Sequence, residues 1–495
     1  MKTYVTIASL ILCFSFHTFS QTPNILWIKI IGANYADNRA YSVKQTIDNG
    51  YIITGYTDSF GAGGHDVWLL KTDTNGDTLW TKTYGGIYWD EGKSAQQTMD
   101  GGYIIAGHSK SFGNGGGHDD VWLIKTNIDG DTMWTKTFGE FNEDYGYSVQ
   151  QTADNGYIIT GETLNIGTGT NLYLIKTDSA GNSIWIKSYG GISNEAGYSV
   201  QQTDDGGFII AGVAWEGIST ALRNAWLIKT DNAGDTIWTK KFGYTMKDDW
   251  CHSVQQTSDG GYIIVGETTF NGNGGYDVWL IKTNTTGDTL WTKTFGGSAD
   301  DYGYSVEQTS DDGYIICGYT ESFGSGYFDG WLIRTDSNGD TLWTKTIGGA
   351  NPDFCYSVCQ TIDEGYIITG YTTSYGLGAN KIWLIKVAAD PTAIDETGER
   401  VINDYQLYQN YPNPFNPTTK IKYSIPNIVE THSYASVQLK VYDILGREIA
   451  ILVNEKQKSG YYEVKWDASS QSSGVYFYRI TVENYVETRK MILLR

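Results

Sequence analysis

The sequence has 495 residues and a formal net charge of −21, with 60 Gly, 17 Trp and 37 Tyr against 7 Pro. This length gives room for two or three domains, and the many Gly and aromatic residues indicate short strands joined by tight turns. Residues 21–404 hold 23 Lys/Arg and 48 Asp/Glu, a net charge of −25. Because such a surface repels phosphate backbones, the composition argues against nucleic-acid binding.

The first twenty residues have the pattern of a secretory signal peptide. Lys2 is followed by an apolar run that ends at Phe16, and Ser20 places a small residue before Gln21. The run is shorter than a membrane-spanning helix requires, and we expect no transmembrane segment elsewhere. We predict a signal peptide at residues 1–20, cleaved between Ser20 and Gln21.

A unit of about 53 residues recurs seven times between residues 21 and 388. Its clearest copy, WLIKTNTTGDTLWTKTFGG at 279–297, reads as two strands around an Asn/Gly turn, and GYIIAG-type and YSVQQT-type strands recur in each unit. Four strands repeated seven times predict an all-β chain with a seven-bladed β-propeller of four-stranded blades at 21–388. The Trp of the LWTKT-type strand marks each unit, at Trp27, Trp80, Trp134, Trp185, Trp238, Trp291 and Trp343.

The order of the strands predicts how the ring closes and which face works. We expect GYIIAG to be the innermost strand because it is the most apolar, and the last blade to be completed by the first two strands of the chain, at 26–29 and 41–46. In an antiparallel meander, alternate turns lie on opposite faces. The short turns therefore share one face, and the longer, glycine-rich, acidic loops share the other, which we expect to carry binding.

Candidate ligand-binding residues lie in the long loops, where one unit departs from the repeat consensus and several units carry a pair of acidic residues. Unit 4 replaces the glycine-rich loop with VAWEGISTALRNAW, which contributes Trp215, Glu216 and Arg223. Neutral drift of a loop would explain the same change. The acid pairs Asp90-Glu91 and Asp300-Asp301 are further candidates, with a solvated or structural role as the alternative.

An enzyme is the second functional hypothesis. Paired carboxylates on the acidic face could serve a secreted hydrolase or lyase acting on polysaccharide or peptide. The acid pairs recur in several blades, whereas catalysis needs one special pair, so we name no catalytic residue. The repeated Trp68 and Trp80 are expected to pack between blades and not to form a sugar-stacking platform.

Neither a metal nor a disulfide framework is indicated. Asp73, Asn75 and Asp77 have the spacing of a calcium loop, but Tyr84 stands where the bidentate Glu is required. We therefore predict a hairpin turn and no cofactor, with calcium as the alternative. The cysteines after the signal are expected to be isolated substitutions in the repeat; they are Cys251, Cys317, Cys355 and Cys359.

The remaining residues form a linker at 389–404, rich in acids and small residues, and a separate unit at 405–495. Alternating apolar residues in the last unit predict a small β-sandwich. YPNPFNPTT at 411–419, VYDILGRE at 441–448, SGVYFYR at 473–479 and the terminal TRKMILL resemble the type A sorting domain of type IX secretion in Bacteroidetes-like bacteria.

This resemblance implies an immunoglobulin-like fold and export through the outer membrane. The implied partners are the type IX machinery and its sorting protease, with a location at the cell surface or outside. The repeats are also loosely similar to quinoprotein-like and kelch-like propellers, which implies a fold only. Together these features favour an exported binding or adhesion module for a glycan or a surface protein.

Overall fold

The computed structural model describes residues 22–493 apart from 114–116, 140–141, 166–168, 217–221, 244–246, 271, 391–404, 409, 411–412, 414, 427–433, 459 and 483–484. The predicted signal peptide, its cleavage site at Ser20 and Gln21, and most of the linker lie outside the described residues. The described part is all-β, with seven four-stranded antiparallel sheets followed by two sheets of the C-terminal unit. The predicted fold class is confirmed.

The chain begins with β1 (Ile25–Ile31), and the next 24 strands form six blades of four consecutive strands. They are β2 (Asn38–Gln45), β3 (Tyr51–Thr57), β4 (Asp66–Thr72) and β5 (Thr78–Tyr84); β6 (Asp90–Gln97), β7 (Tyr103–Ser109), β8 (Asp120–Thr126) and β9 (Thr132–Phe138); β10 (Asp144–Gln151), β11 (Tyr157–Asn165), β12 (Gly169–Thr177) and β13 (Ser183–Tyr189); β14 (Glu195–Gln202), β15 (Phe208–Glu216), β16 (Leu222–Thr230) and β17 (Thr236–Phe242); β18 (Asp249–Gln256), β19 (Tyr262–Thr268), β20 (Asp277–Thr283) and β21 (Thr289–Phe295); β22 (Asp301–Gln308), β23 (Tyr314–Thr320), β24 (Asp329–Thr335) and β25 (Thr341–Ile347).

Blade 7 closes the ring with strands from both ends of the propeller. It contains β26 (Asp353–Gln360), β27 (Tyr366–Thr372) and β28 (Lys381–Val387), with β1 paired to β28 as the outermost strand. The predicted closure is therefore correct in kind but wrong in detail. One early strand completes the last blade, and β2 begins blade 1.

The expected strand order within a blade was also wrong. The YSVQQT-type strands are innermost, since each of them contacts its counterparts in both neighbouring blades, and the GYIIAG-type strands lie second. A strand in second place is covered on both faces by adjacent blades, as β3 is along its whole length, and it is apolar for that reason. The innermost strand faces the axis on one side and is half polar.

Serine and glutamine explain why YSVQQT lies at the axis. The Ser hydroxyl accepts a hydrogen bond from the backbone N–H of the Val or Ala position in the next blade, at 3.2–3.5 Å around all seven junctions. The second Gln of the motif accepts from a turn N–H of the preceding blade, at 2.8–2.9 Å, again at seven junctions. These two rings of side-chain bonds tie neighbouring blades where no strand pairing joins them.

The cores lie between blades. Trp68 packs with Ile367 and Leu384 of blade 7, and the Trp80 and Tyr103 rings meet across the blade 1–2 junction at 5.7 Å. The predicted packing role of these tryptophans is confirmed. The four described cysteines are free thiols.

The C-terminal unit is a β-sandwich. One sheet has the order β29 (Gln406–Leu407), β30 (Thr418–Ile425), β33 (Gly460–Asp467), and the other β32 (Glu448–Gln457), β31 (Ala435–Asp443), β34 (Gly474–Val482), β35 (Tyr485–Leu493). Both sheets contribute to one core, and Phe415 of the YPNPF motif lies buried in it, 5.5 Å from the ring of Trp466.

Candidate functional site

The two faces of the ring differ as the meander requires. The short-turn face carries the turns after the innermost strands and those between the third and fourth strands, such as 98–102 and 73–77. The long-loop face carries the longer connections, such as 58–65 and 85–89, and the innermost strands begin there. We call the opening of the ring on this face the axial mouth. It is lined by the second and fourth residues of the innermost strands and the sixth residue of the strands beside them.

Aromatic side chains dominate the inner tier of the axial mouth. Five consecutive pairs in this tier, from Tyr147 round to Tyr41, have ring centroids 4.6–5.6 Å apart, and the Lys93 ammonium lies 4.0 Å from the Tyr41 ring. Contacts of this kind favour a rigid wall. The tier, which is the fourth position of each innermost strand, consists of Tyr41, Lys93, Tyr147, Tyr198, His252, Tyr304 and Tyr356.

The irregular loop of unit 4 forms the blade 4–5 side of the mouth. β15 and β16 extend two residues beyond the strands of most blades, which brings Trp215 opposite Arg223. The Arg223 guanidinium lies 4.6 Å from the Trp215 ring and 4.8 Å from the Trp250 ring, and it pairs with Asp248 at 3.4 Å. Glu216 is paired in the backbone with Leu222, which fixes its place at the tip of the hairpin.

Glu91 forms the centre of a second group, on the blade 1–2 side. Its carboxylate is bonded to His65 Nδ1 at 3.0 Å and to Lys93 at 2.6 Å. Burial would raise the pKa of Glu91, but the His65 bond and the Lys93 charge together hold it well below its usual range. The His65 ring is stacked between Tyr56 and the exposed Trp89, at 4.0 and 4.8 Å.

Asp90 and Asp301 have a structural environment. Asp90 is fully buried and accepts hydrogen bonds from the Ser109 hydroxyl, from the Ser111 hydroxyl at 2.6 Å and from the Gly86 N–H at 2.8 Å. Asp301 is held in the same way by Thr320, Ser322 and Gly297 of its blade. These carboxylates fasten adjacent long loops together and are turned away from solvent.

Asp300 lies at the rim. It accepts hydrogen bonds from the Tyr276 backbone N–H at 2.9 Å and from the Tyr302 hydroxyl at 3.4 Å. Of the two predicted acid pairs, Glu91 and Asp300 thus reach the mouth while Asp90 and Asp301 do not.

The Asp73–Asp77 turn is an Asx-type hairpin turn. Asp73 Oδ1 accepts from the N–H groups of Asn75 and Asp77, both at 2.9 Å, and Asp77 pairs with Lys29 of the neighbouring blade at 2.6 Å. Across the described ranges, no group of three or more His, Cys, Asp or Glu residues is arranged to hold a metal ion.

Sequence reasoning missed several residues of the mouth, although a signal for them existed. Some residues that depart from the repeat consensus face the axis together. Counted from the first residue of each strand, they are the second and fourth residues of the innermost strands and the sixth residue of the second strands. They include Lys93, Trp250 and His252 in the first set and His108, Glu162 and Glu267 in the second.

Contacts between the C-terminal unit and the propeller lie on the short-turn face. Lys422 donates to the Ile362 carbonyl at 3.1 Å, and Lys490 pairs with Asp204 at 3.0 Å; both acceptors belong to turns after innermost strands. The C-terminal unit carries 11 Lys/Arg and 8 Asp/Glu, so its positive charge complements the acidic propeller. These contacts are on the face opposite the axial mouth.

Comparison with known proteins assigns the tail. Residues 409–494 match the model of the secretion system C-terminal sorting domain. The tail is a type IX sorting domain. The protein is therefore secreted to the cell surface or beyond by the type IX route, and the sorting domain is the part handled by that machinery. In the described residues no helix has the length and apolarity needed to cross a membrane.

The whole chain matches no curated protein. Its fold has distant likenesses among solved structures. A fungal alcohol oxidase of the AA5 family, solved with copper, is 8% identical, with 96% of this chain and 100% of that chain covered and a TM-score of 0.48. A eukaryotic initiation factor is 10% identical, with 63% and 66% covered and a TM-score of 0.30. Likeness at this level carries no argument about activity.

Proposed function

We propose that the protein is an exported binding or adhesion module that holds a carbohydrate or protein ligand at the axial mouth of its propeller. The observation that carries this proposal is the Trp215–Arg223–Trp250 stack, which breaks the repeat on the long-loop face. Rigid aromatic and Arg side chains are the residue types that dominate recognition surfaces.

The position of the sorting domain supports the same face. Its contacts with Ile362 and Asp204 leave it on the side of the ring away from the mouth. A module delivered to the cell surface by that domain would present the long loops outward. The exposed Trp89, on the other side of the mouth, adds a second aromatic surface.

A binding screen of the full chain tests the proposal. The protein is offered to arrays of polysaccharides, surface glycans and surface proteins, with and without calcium. We expect a hit that Trp215→Ala and Arg223→Ala each weaken by about tenfold or more, the effect of losing an interface hot spot. Leu290→Ala, at an exposed site on the outermost strand β21, is the matched control. A hit that neither mouth variant weakens would contradict the site, and silence on every array would contradict the function.

The enzymatic alternative has one observation in its favour. Burial, together with the nearby Glu143 and Glu91 carboxylates, raises the pKa of Asp119 to about 6 against the opposing charge of Lys110. A carboxylic acid tuned near neutrality could serve as a general acid. Slow loss of a bound glycan or peptide, abolished by Asp119→Asn with binding retained, would favour a hydrolase or lyase.

A further inference from the structure

Four carboxylates of the axial mouth are paired with a basic side chain. In blade 1 Asp37 pairs with Arg39 at 3.0 Å, and in blade 2 Glu91 pairs with Lys93 at 2.6 Å. In blade 5 Glu267 is paired with the His252 imidazole at 2.9 Å. Asp248, at the entry to the same blade, pairs with Arg223. Each of these four carboxylates is thus matched with a basic side chain of the chain itself.

Blade 3 has the same acids without a basic partner. Glu143 occupies the position of Asp248, and Glu162 the position of Glu267. Within the described residues, Glu143 is bonded to the Tyr145 hydroxyl at 3.2 Å and Glu162 to the Tyr147 hydroxyl at 2.7 Å, and neither forms an ion pair. Tyr147 stands where blade 5 has His252. The neutral phenols satisfy one acceptor each but leave both charges unbalanced.

The groups around Glu143 and Glu162 add to the uncompensated negative charge. Asp119 belongs to the neighbouring loop, and the charge of Lys110 opposes the rise of its pKa. Burial and the charge of Glu143 raise the pKa of Glu162, as they also do for Asp119, although the Tyr147 bond opposes this for Glu162. A carboxylate whose pKa is raised by a neighbouring carboxylate gains free energy when a cation binds beside it.

A second observation concerns His108 of the neighbouring blade 2, beside Tyr145. This side chain is 7% exposed, its ring meets Tyr145 edge-on at 4.8 Å, and its Nδ1 has no hydrogen-bond partner among the described residues. Burial, followed by the Lys93 charge, lowers the pKa of His108 to about 3. The ring is therefore neutral at physiological pH and can offer a lone pair to an N–H donor. A buried acceptor left open costs free energy unless a ligand fills it.

We propose that Glu143, Glu162, Asp119 and His108 bind a lysine ammonium or arginine guanidinium presented by a partner protein. The proposal rests on the binding function proposed above and names its ligand chemistry. Carboxylates and an imidazole acceptor satisfy the N–H donors, and the rings of Tyr145, Tyr147 and Tyr198 line the approach for an aliphatic stem and its charge.

Two features favour a side chain of a protein over an amino sugar. Glu162 lies on the second strand, set back from the axis behind Tyr145, so the cation must reach inward. A lysine or arginine has a stem for that reach, whereas the amine of a sugar is attached directly to its ring. The net charge of −25 on residues 21–404 also steers basic proteins toward this body.

The test is fluorescence anisotropy on the full chain with labelled Ala-Lys and Ala-Arg repeat peptides, and an Ala-Gln repeat as the neutral probe. We expect the basic peptides alone to bind, and Glu162→Gln to weaken them by about tenfold. The control Glu455→Gln, at an exposed position of the sorting domain, stays within about twofold. Tyr147→His, which gives blade 3 the imidazole of blade 5, weakens binding at pH 6 more than Tyr147→Phe does. Thermal melts confirm that each variant is folded.

The pH profile supplies a second readout. Because only the ionised carboxylate attracts the cation and the pKa of Asp119 is about 6, affinity for the Ala-Lys peptide rises between pH 5 and 7, and Asp119→Asn flattens this rise. Equal binding of the Ala-Gln peptide, no effect of Glu162→Gln, or tighter binding of a glucosamine oligomer would each overturn the inference. If array ligands bind in a Trp215-dependent way while the basic peptides do not bind, the inference is wrong and the proposed function stands. If neither the array ligands nor the basic peptides bind, both the inference and the proposed function are wrong.

Discussion

At the scale of single residues, one position of the repeat carries side chains of different chemistry in different blades. The sixth residue of the second strand is Tyr56 in blade 1, His108 in blade 2 and Glu162 in blade 3, while its backbone pairing stays the same. The scaffold is thus indifferent to what this side chain does, and chemistry can vary there without disturbing the blade. Departures from the repeat at axis-facing positions are the most informative residues in the chain.

Glu91 gives a prediction on pH and stability. Its lowered pKa means that the ionised form stabilises the fold, and that this contribution is present above the unfolded value of 4.5 and is lost as the pH falls below it. We expect Glu91→Gln to lower the unfolding free energy at pH 7 by about 2 kcal/mol, the order of a charged hydrogen bond. Urea unfolding at pH 7 and pH 3.5 measures it.

The difference between Glu91→Gln and the wild type should shrink at the lower pH. Asp129→Asn, at an exposed position on the short-turn face, is the control and should change little at either pH. A difference that stays the same at both values would show that Glu91 acts through packing and not through its charge.

At the scale of strands, the YSVQQT motif shows what the sequence could and could not predict. Seven repeats of four β-rich runs determine the number of blades, because each run needs a paired neighbour and the period is constant. The radial order was mispredicted, because apolarity was taken to mean proximity to the axis. Ser and Gln were the better guide: only the innermost strand is close enough to its counterparts for short polar side chains to bridge blades.

The candidate site, too, could be predicted only in part from the sequence. Trp215 and Arg223 were found because their loop changed length as well as composition. Glu143 and Glu162 are single side chains in one blade, and their importance depends on which cations reach them. That information is three-dimensional in blade 5, where the basic partners of Asp248 and Glu267 lie on other strands.

Ser199 tests the bridging role. Its hydroxyl accepts the hydrogen bond of the Val254 N–H at 3.3 Å across the blade 4–5 junction. Ser199→Ala leaves that N–H without its partner, and we expect the unfolding free energy to fall by about 1 kcal/mol. Ser183→Ala, at an exposed position on the outermost strand β13, should be within about 0.5 kcal/mol of the wild type in the same urea titration. Equal effects at the two sites would contradict an inter-blade function for the motif.

At the scale of the whole molecule, the junction between blades 6 and 7 differs from the others. Six blades carry a buried Lys on the third strand, paired at 2.8–2.9 Å with the Asp of the turn after the innermost strand. Blade 6 has Arg334 instead, which bonds Asp311 and also reaches Asp390 at 2.8 Å, just beyond the last propeller strand. Asp390 accepts a further bond from Trp343 Nε1 at 2.9 Å. A planar guanidinium can bridge two carboxylates where an ammonium at this depth serves one.

Arg334→Lys therefore has an expected cost even though lysine is the rule elsewhere. It keeps the Asp311 pair and loses Asp390, and we expect a loss of about 1–2 kcal/mol in unfolding free energy. In a double-mutant cycle with Asp390→Ala the losses should be less than additive, because the two changes remove one shared bond. Full additivity would show that Arg334 and Asp390 act independently.

The pairing of β1 with β28 sets an order of events during synthesis. The first strand of the propeller has no partner in its sheet until a segment more than 350 residues later has been made, because Ile25 pairs with Val387. The sorting domain follows within a few tens of residues. A chain that stops before Val387 therefore lacks both a finished ring and the signal for export, so incomplete copies are withheld from the cell surface by the same truncation that prevents them from closing.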